Sequence, residues 1–256
     1  MSRLQARTVL VSLAGVVLLA AASGSWAQET LSAKLDASGM VRVTRGDVEL
    51  AMIELNAHGP EWKHAPQATA TAQVSDLPGQ AGRRFVGTLP VPNAGGGALK
   101  FTESVKALPQ GLALEYDLSA TGAMKLNGLQ VSINLPVAVY AGKELVMSQL
   151  GAEPQSASFP QEQQGETFQV WAGEGAKIEV AKGTADAITI ELRAAADVVV
   201  QDLRRWEHPT FEVRFPAISE DQGRELTAED RFHLDLTVTL PAPVKLELAP
   251  KQPAAP

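Results

Sequence analysis

The chain has 256 residues, a formal net charge of −7 and no cysteine. An acidic chain without clustered Lys and Arg is a poor candidate for binding nucleic acid or anionic lipid, because contacts to phosphate require concentrated positive charge. The lack of cysteine excludes disulfides, thiol catalysis and cysteine-ligated metals, so the stability of the fold must come from an apolar core.

Residues 1–27 have the pattern of a cleaved secretory signal peptide. Arg3 and Arg7 give a positive start, an apolar run extends from Val9 to Ala22, and small residues precede a cleavage site after Ala27. A helix that spans a bilayer needs about 20 apolar residues, which is more than this run supplies. We therefore expect a periplasmic or secreted protein without a membrane span after cleavage; the alternative is an uncleaved anchor helix.

Alternating apolar and polar residues predict strands throughout residues 28–240. The clearest runs are Leu112–Leu118, Phe211–Phe215 and Phe232–Leu240. Asn127-Gly128 predicts the tight turn of a hairpin, because this dipeptide tolerates the positive φ angles of a type I′ turn. Each strand has one apolar face to bury, so we predict an all-β protein with a single large antiparallel β-sandwich.

The domain organisation follows from the absence of a dividing linker. We predict a signal peptide over 1–27, one β-sandwich domain over 28–240 and a proline-rich C-terminal strand and tail over 241–256. The tail contains one possible edge strand, 244–248, and its last residues are expected to be disordered.

Two segments combine aromatic and polar residues. Residues 56–64 contain Trp62 and His64, and residues 201–208 contain Asp202, Arg205 and Trp206. An indole packs on the apolar face of a sugar ring while planar charged groups bind its hydroxyls, so these five residues are the candidate ligand-binding residues. The alternative is that both indoles are partly buried packing residues and that the charged groups form surface ion pairs.

No motif identifies catalytic residues, and we predict neither a metal nor a cofactor. His58 and His64 lack a third ligand with diagnostic spacing. Pairs such as Glu115 with Asp117, or His233 with Asp235, are common on any solvated face of a sheet. Paired carboxylates of glycan-active enzymes leave no local motif, so the catalytic residues remain unknown.

Two phrases of the sequence resemble galactose-mutarotase-like super-sandwich modules associated with bacterial carbohydrate-active enzymes. The first is Ser132–Pro136 leading to Tyr140–Gly142, and the second is Val200–Asp202 running through Trp206 to Phe211–Val213. The resemblance covers most of residues 28–240 and implies the fold and a link to carbohydrate. The catalytic His and Glu of that family match no positions here, so the resemblance does not imply mutarotase activity.

Three functions follow as hypotheses. The first is an exported, non-catalytic β-sandwich protein that binds polysaccharide or an envelope partner. The second is a polysaccharide-active enzyme, a glycoside hydrolase or lyase. The third is a structural envelope protein without a small ligand. The hypotheses differ in whether the five candidate residues converge on one concave face.

Overall fold

The computed structural model describes residues 30–149 and 151–248. The predicted signal peptide and the last residues of the predicted tail lie outside these ranges. Sixteen strands occupy the described residues, and they are listed here in chain order: β1 (Leu31–Leu35), β2 (Val41–Arg45), β3 (Val48–Gly59), β4 (Lys63–Pro66), β5 (Thr71–Asp76), β6 (Gly82–Leu89), β7 (Leu99–Leu108), β8 (Gly111–Ala120), β9 (Met124–Pro136), β10 (Glu144–Ser148), β11 (Gln155–Ser158), β12 (Gln169–Val180), β13 (Ile188–Asp202), β14 (Thr210–Leu226), β15 (Arg231–Thr239) and β16 (Val244–Glu247).

Helical structure in these ranges is short. A single turn of α-helix, α1 (Val137–Tyr140), follows β9, and three 3₁₀ turns cover Pro60–Trp62, Gln67–Thr69 and Leu203–Trp206. None of the described helices has the length and hydropathy needed to cross a membrane. The predicted all-β fold is confirmed.

Backbone hydrogen bonds join the strands into one large curled sheet. Its main path runs β16-β1-β2-β3-β9-β14-β13-β15-β8-β7-β6-β5. β4 pairs with β3, and β12, β10 and β11 branch from β13. The described pairs are antiparallel except for β1 with β16, which run parallel, so the sheet is mixed rather than antiparallel throughout.

Gln67 shows how the sheet closes on itself. Its side chain is fully buried and bonds the amide of Leu55 on β3, the carbonyl of Ser38 in the β1–β2 turn and the carboxyl of Glu103 on β7. β3 and β7 lie far apart along the path of hydrogen-bonded strands, so one side chain can reach both only because the sheet curls. The enclosed space holds the apolar core.

The central strands β3, β9 and β14 have an apolar inner face and a polar outer face. Ile53, Ile133 and Val213 lie on the inner face and are fully buried. Side chains alternate between the two faces of a strand, so the residues between these point to the opposite side. Glu54 and Glu212 on that outer face are also buried, at 7% and 5% exposed.

The predicted hairpin at Asn127-Gly128 is wrong. Both residues lie inside β9, which runs unbroken from Met124 to Pro136 between β3 and β14. The Asn127 side chain donates to the carbonyls of Glu220 and Asp221. A Cβ at Gly128 would lie in tight contact with the rings of His58 and Trp62.

Candidate binding cleft

A cleft of about 860 Å³ lies over the polar face of β3, β9 and β14. Its floor is formed by strand residues and its rim by the segments that join β3 to β4 and β13 to β14. The lining residues are Met52, Glu54, Asn56, His58, Trp62, His64, Gln130, Asn134, Phe168, Gln201, Leu203, Trp206, His208, Pro209, Thr210, Glu212, Arg214 and Ser219.

Two carboxyl groups in the floor are held by crossed hydrogen bonds. Ser132 lies opposite Glu54 in the β3–β9 register but donates to Glu212 on β14 at 2.5 Å. Asn134 lies opposite Glu212 in the β9–β14 register but donates to Glu54 on β3 at 2.8 Å. Each of these β9 residues thus donates diagonally, to a carboxyl group two positions from its own register partner on that strand, Arg214 for Ser132 and Met52 for Asn134. Both carboxyl groups are fixed before any ligand binds.

Arg214 is the cation of the cleft lining. Its Nε lies 3.3 Å from Oε2 of Glu212, and its side chain is largely buried. The guanidinium is therefore already paired with a carboxylate inside the cleft. This pairing leaves little positive charge to attract an anionic ligand.

Burial keeps two histidines of the cleft neutral. The pKa of His58 is lowered to about 4, by burial first and then by the neighbouring His64 and Arg214. Burial also lowers the pKa of His64, while Glu212 opposes this effect. The two imidazoles stack at a centroid distance of 5.0 Å, and Nε2 of His64 lies 2.8 Å from Oδ1 of Asn56. Near pH 7 both rings are therefore uncharged, and each neutral imidazole has one hydrogen-bond donor and one acceptor.

Glu54 and Glu212 occupy different environments. Burial raises the pKa of Glu54, and hydrogen bonds from Asn56 and Asn134 oppose the rise. Glu212 adds to the rise through repulsion between the two carboxylates. Glu212 itself is paired with Arg214 and Ser132. The cleft thus places two unlike carboxyl groups on either side of β9.

The rim carries two tryptophans with exposed surface. Trp62 is 37% exposed and Trp206 is 48% exposed, and they are two of the five large apolar side chains exposed in the described residues. Each indole makes a T-shaped contact with one aromatic ring, Trp62 with His58 at 5.6 Å and Trp206 with Phe168 at 5.0 Å. Each ring is therefore held in place while keeping surface open to the solvent.

The structure brings together three of the five sequence-predicted residues. Trp62, His64 and Trp206 line the cleft, whereas Asp202 and Arg205 do not. Asp202 is 1% exposed and faces the protein interior. Arg205 points away from the cleft lining and pairs with Glu166 at the surface, at 2.5 Å.

Asp202 and Arg204 form a clamp behind Trp206. The Asp202 carboxylate accepts from the backbone N–H of Arg204 at 3.1 Å and so caps the 3₁₀ turn that ends at Trp206. It also accepts bonds from Nε and Nη2 of the Arg204 guanidinium, which donates in addition to the carbonyls of Pro160 and Gln161. This clamp (Asp202 and Arg204) ties the rim turn to the segment that leads to Phe168.

Sequence reasoning missed the floor of the cleft. The missed residues of the lining are Glu54, Gln130, Asn134, Glu212 and Arg214, together with Ser132, which donates to Glu212. They alternate with apolar residues on three strands, which is also the pattern of a solvated face. The available signal was that β3, β9 and β14 all carry amides, carboxylates or a guanidinium at successive outward positions. That signal identifies a site only when the three strands are known to be neighbours.

Metal-type ligands are grouped elsewhere. Within residues 30–149 and 151–248, one group of three side chains could hold a metal ion. It consists of Glu115, Asp117 and His233, whose ligand atoms lie within 4.8 Å of one another. These side chains are exposed on β8 and β15 and do not line the cleft. Exposed groups of this kind are common without an ion.

No protein-family model matches the sequence, and no curated protein matches it. Solved structures of similar fold do exist. A putative aldose 1-epimerase from Escherichia coli K12 has 9% identity and a TM-score of 0.47 over 82% of this chain and 98% of the other. A galactose mutarotase related enzyme from Lactobacillus acidophilus has 9% identity and a TM-score of 0.46 over 85% and 96%. The GalM/aldose epimerase homologue from C. elegans has 6% identity and a TM-score of 0.45 over 84% and 99%.

The resemblance to galactose-mutarotase-like folds that the sequence phrases predict is confirmed, and it is weak. At these identities the likeness concerns the fold and does not extend to activity.

Proposed function

We propose that the protein binds neutral carbohydrate in the cleft and does not itself transform it. The observation that carries the proposal is the pairing of two exposed, positioned indoles with a floor of hydrogen-bonded polar side chains. The flat apolar face of a pyranose packs on an indole, and its hydroxyls need donors and acceptors in fixed positions. The cleft offers both kinds of contact.

The charges of the cleft favour a neutral sugar over a uronate. Arg214 is paired with Glu212, Glu54 adds a second carboxyl group, and His58 is neutral near pH 7. An added ligand carboxylate would meet two carboxyl groups and no unpaired cation of the described lining. The amides of Asn56, Gln130 and Asn134 are suited to hydroxyl groups instead.

The test is a binding screen of the purified protein against soluble neutral and acidic polysaccharides. We expect binding to a neutral polysaccharide, and we expect Trp206→Ala to weaken it at least tenfold, which corresponds to about 1.4 kcal/mol. Loss of area and stacking, worth roughly 0.5–1.5 kcal/mol beyond the area, accounts for this factor. The thermal midpoint should move by only a few degrees, because the indole is half exposed.

Two results would contradict the proposal. One is a large drop in the thermal midpoint of Trp206→Ala with unchanged binding, which would make the indole a packing residue. The other is a preference for uronate polymers, which would contradict the charge argument. If no polysaccharide of the screen binds, a structural or protein-binding role in the envelope is favoured.

A second candidate function is an enzyme that acts on the same sugar, as a glycoside hydrolase or lyase. The observation that favours it is the pair of unlike carboxyl groups, Glu54 and Glu212, because acid–base catalysis uses two groups in different environments. Release of reducing ends or unsaturated products, read from the same wells, decides between the two. Product release that Glu212→Gln abolishes would support the enzyme, and binding without product would support the first proposal.

We also propose that the protein acts outside the cytoplasm, on the strength of the signal-peptide pattern in residues 1–27. The measurement is the N-terminal sequence of the protein from the periplasmic fraction of an expressing Gram-negative cell. A start at Gln28 would support export with cleavage after Ala27. A chain that retains Arg3 and stays in the membrane fraction would support an uncleaved anchor.

A further inference from the structure

The two exposed indoles belong to opposite flanks of the cleft. Trp62 lies on the connection from β3 to β4, and Trp206 lies on the connection from β13 to β14. In the sheet, β9 and β14 separate β3 from β13. Neighbouring strands are about 4.8 Å apart, so the strands that carry the two flanks are separated by roughly 14 Å.

Each flank has its own polar side chains. Near Trp62, His58 is paired in register with His64 across β3 and β4, and Asn56 bonds His64. The other flank contains Gln201, which lies opposite Glu212 across β13 and β14. His208 and Thr210 follow Trp206 on the same flank. Each flank of the cleft thus combines an indole with neighbouring hydrogen-bond donors and acceptors.

The backbone at both indoles is strained. Five non-glycine residues in the described ranges have positive φ, and three of them are Glu61, Trp62 and Glu207, at 61°, 58° and 65°. Non-glycine residues rarely adopt this backbone conformation, and such strain is concentrated where a side chain must be placed for function. The strain at both flanks indicates that both indoles are placed for a purpose.

The cleft is large for one sugar ring. At about 860 Å³ it lies in the upper part of the range of roughly 300–1,000 Å³ seen for sites that enclose drug-sized ligands. The polar floor between the flanks, with Glu212 and Arg214, is continuous with both. A single ring on one indole would leave the other indole and much of the floor without a contact.

We propose that the ligand is an oligosaccharide segment of at least two neutral units, with one ring on Trp62 and another on Trp206. This inference rests on the proposed carbohydrate binding and adds the length of the ligand to it. Glu212 and Arg214 contact the hydroxyls of the part of the ligand that lies between these two rings.

The test is calorimetric titration of the whole protein with glucose and with linear cello-, laminari- and malto-oligosaccharides of two to six units. In one series, affinity should rise at least tenfold between the monosaccharide and the trisaccharide. Trp62→Ala and Trp206→Ala should each lower oligosaccharide affinity at least tenfold and remove most of the dependence on length. Trp62→Phe should restore part of the affinity, since it keeps an aromatic face.

Trp171→Ala is the matched control. Trp171 lies on β12 outside the cleft lining, and its indole N–H donates to Gln155 at 2.9 Å. This variant should bind every sugar like the natural chain.

Three results would overturn the inference. If glucose binds as tightly as the longer sugars and both Ala variants lose it equally, the indoles enclose one ring, while the proposed carbohydrate binding stands. If Trp62→Ala leaves the affinity for the longest sugars unchanged, there is no second aromatic subsite. If none of these sugars binds, the inference is overturned, and if no neutral polysaccharide of the screen binds either, the proposed function fails with it.

Discussion

Gly128 shows how much one missing side chain contributes to the cleft. A Cβ at this position would lie 3.0 Å from Nδ1 of His58 and 3.1 Å from Cζ3 of Trp62. Glycine inside a strand is often found where another group must approach the backbone closely. Here the approaching groups are two rings of the cleft, so the glycine permits Trp62 to take its position.

We predict that Gly128→Val displaces Trp62 and weakens ligand binding. The branched side chain needs more room than the 3.0 Å gap provides, and overpacking of this kind costs about 1–3 kcal/mol of stability. Affinity for the best neutral sugar of the screen should fall at least fivefold, measured by calorimetric titration.

Gly122→Val is the control for this prediction, because a Cβ at Gly122 would have no neighbour within 4 Å. Val has a higher strand propensity than Gly, so Gly128→Val in β9 would gain stability if the space at Gly128 were open, whereas Gly122 lies in the bend between β8 and β9. A more stable Gly128→Val protein with unchanged affinity would show that the gap has no role.

At the scale of elements, the segment from β13 to β14 depends on the clamp of Asp202 and Arg204. Asp202 is fully enclosed, and Arg204 binds it by a 2.7 Å contact between Nη2 and Oδ2. The Arg204 guanidinium also lies over the ring of Phe211, 5.2 Å from its centroid. The rim turn that carries Trp206 is therefore anchored to the interior by the buried ion pair of Asp202 and Arg204.

We predict that Asp202→Ala lowers the free energy of unfolding by about 3 kcal/mol, because it leaves the largely buried Arg204 without its partner and the 3₁₀ turn without its cap. Affinity for sugar should fall with it, since Trp206 loses its fixed position. Urea unfolding and titration of the same sample measure both effects.

Arg205→Ala is the control in the same turn. Its ion pair with Glu166 is exposed, and such pairs are worth roughly 0–1 kcal/mol, so stability should hardly change. A loss of affinity in Arg205→Ala without a loss of stability would support the sequence-based assignment of Arg205 to the ligand. Equal losses of stability in both variants would contradict the clamp.

The same elements show what the sequence could and could not predict. The alternating runs Leu112–Leu118 and Phe211–Phe215 correctly predict strands and lie in β8 and β14. This prediction succeeds because period-2 alternation depends only on neighbours along the chain. The prediction of a turn at Asn127-Gly128 is wrong because the pairing of β9 with both β3 and β14 outweighs the local turn preference of this dipeptide. The crossed bonds of Ser132 and Asn134 also depend on that pairing.

The two tryptophans could be singled out from the sequence because each lies in a polar, aromatic segment between strands. Asp202 was singled out by the same composition, yet it is buried and caps the 3₁₀ turn that follows it. Composition does not distinguish a carboxylate that faces a ligand from one that caps a helix. The direction of a side chain at the end of a strand is set by the backbone around it.

At the scale of the whole molecule, the curl of the sheet creates a buried polar contact between distant strands. Nε2 of Gln67 donates to Oε2 of Glu103 at 2.6 Å, and Glu103 is fully buried on β7. Burial raises the pKa of Glu103 to about 8, and the pKa of the buried Tyr116 hydroxyl is raised as well, by burial first and then by Glu103. Gly39, with φ at 100°, leaves the room that Glu103 occupies.

The raised pKa of Glu103 makes the stability of the fold depend on pH. The unfolded chain loses this proton near pH 4.5, while the folded protein keeps it to about pH 8. Between these values the folded state binds more protons than the unfolded state, so the free energy of unfolding falls as the pH rises. The contribution of Glu103 is therefore fully present below about pH 4.5 and lost as the pH passes about 8.

We predict that Glu103→Gln removes most of this dependence, because the amide keeps the shape of the neutral carboxyl group and does not ionise. The natural chain should lose roughly 3–5 kcal/mol between pH 5 and pH 9 from this group, and the variant should lose correspondingly less. Urea unfolding at pH 5, 7 and 9 measures the difference. Glu115→Gln, which changes an exposed carboxylate of the neighbouring strand β8, should retain the profile of the natural chain. Parallel profiles for the natural chain and Glu103→Gln would show that Glu103 ionises freely, and that the curl of the sheet does not enclose it as the contact with Gln67 indicates.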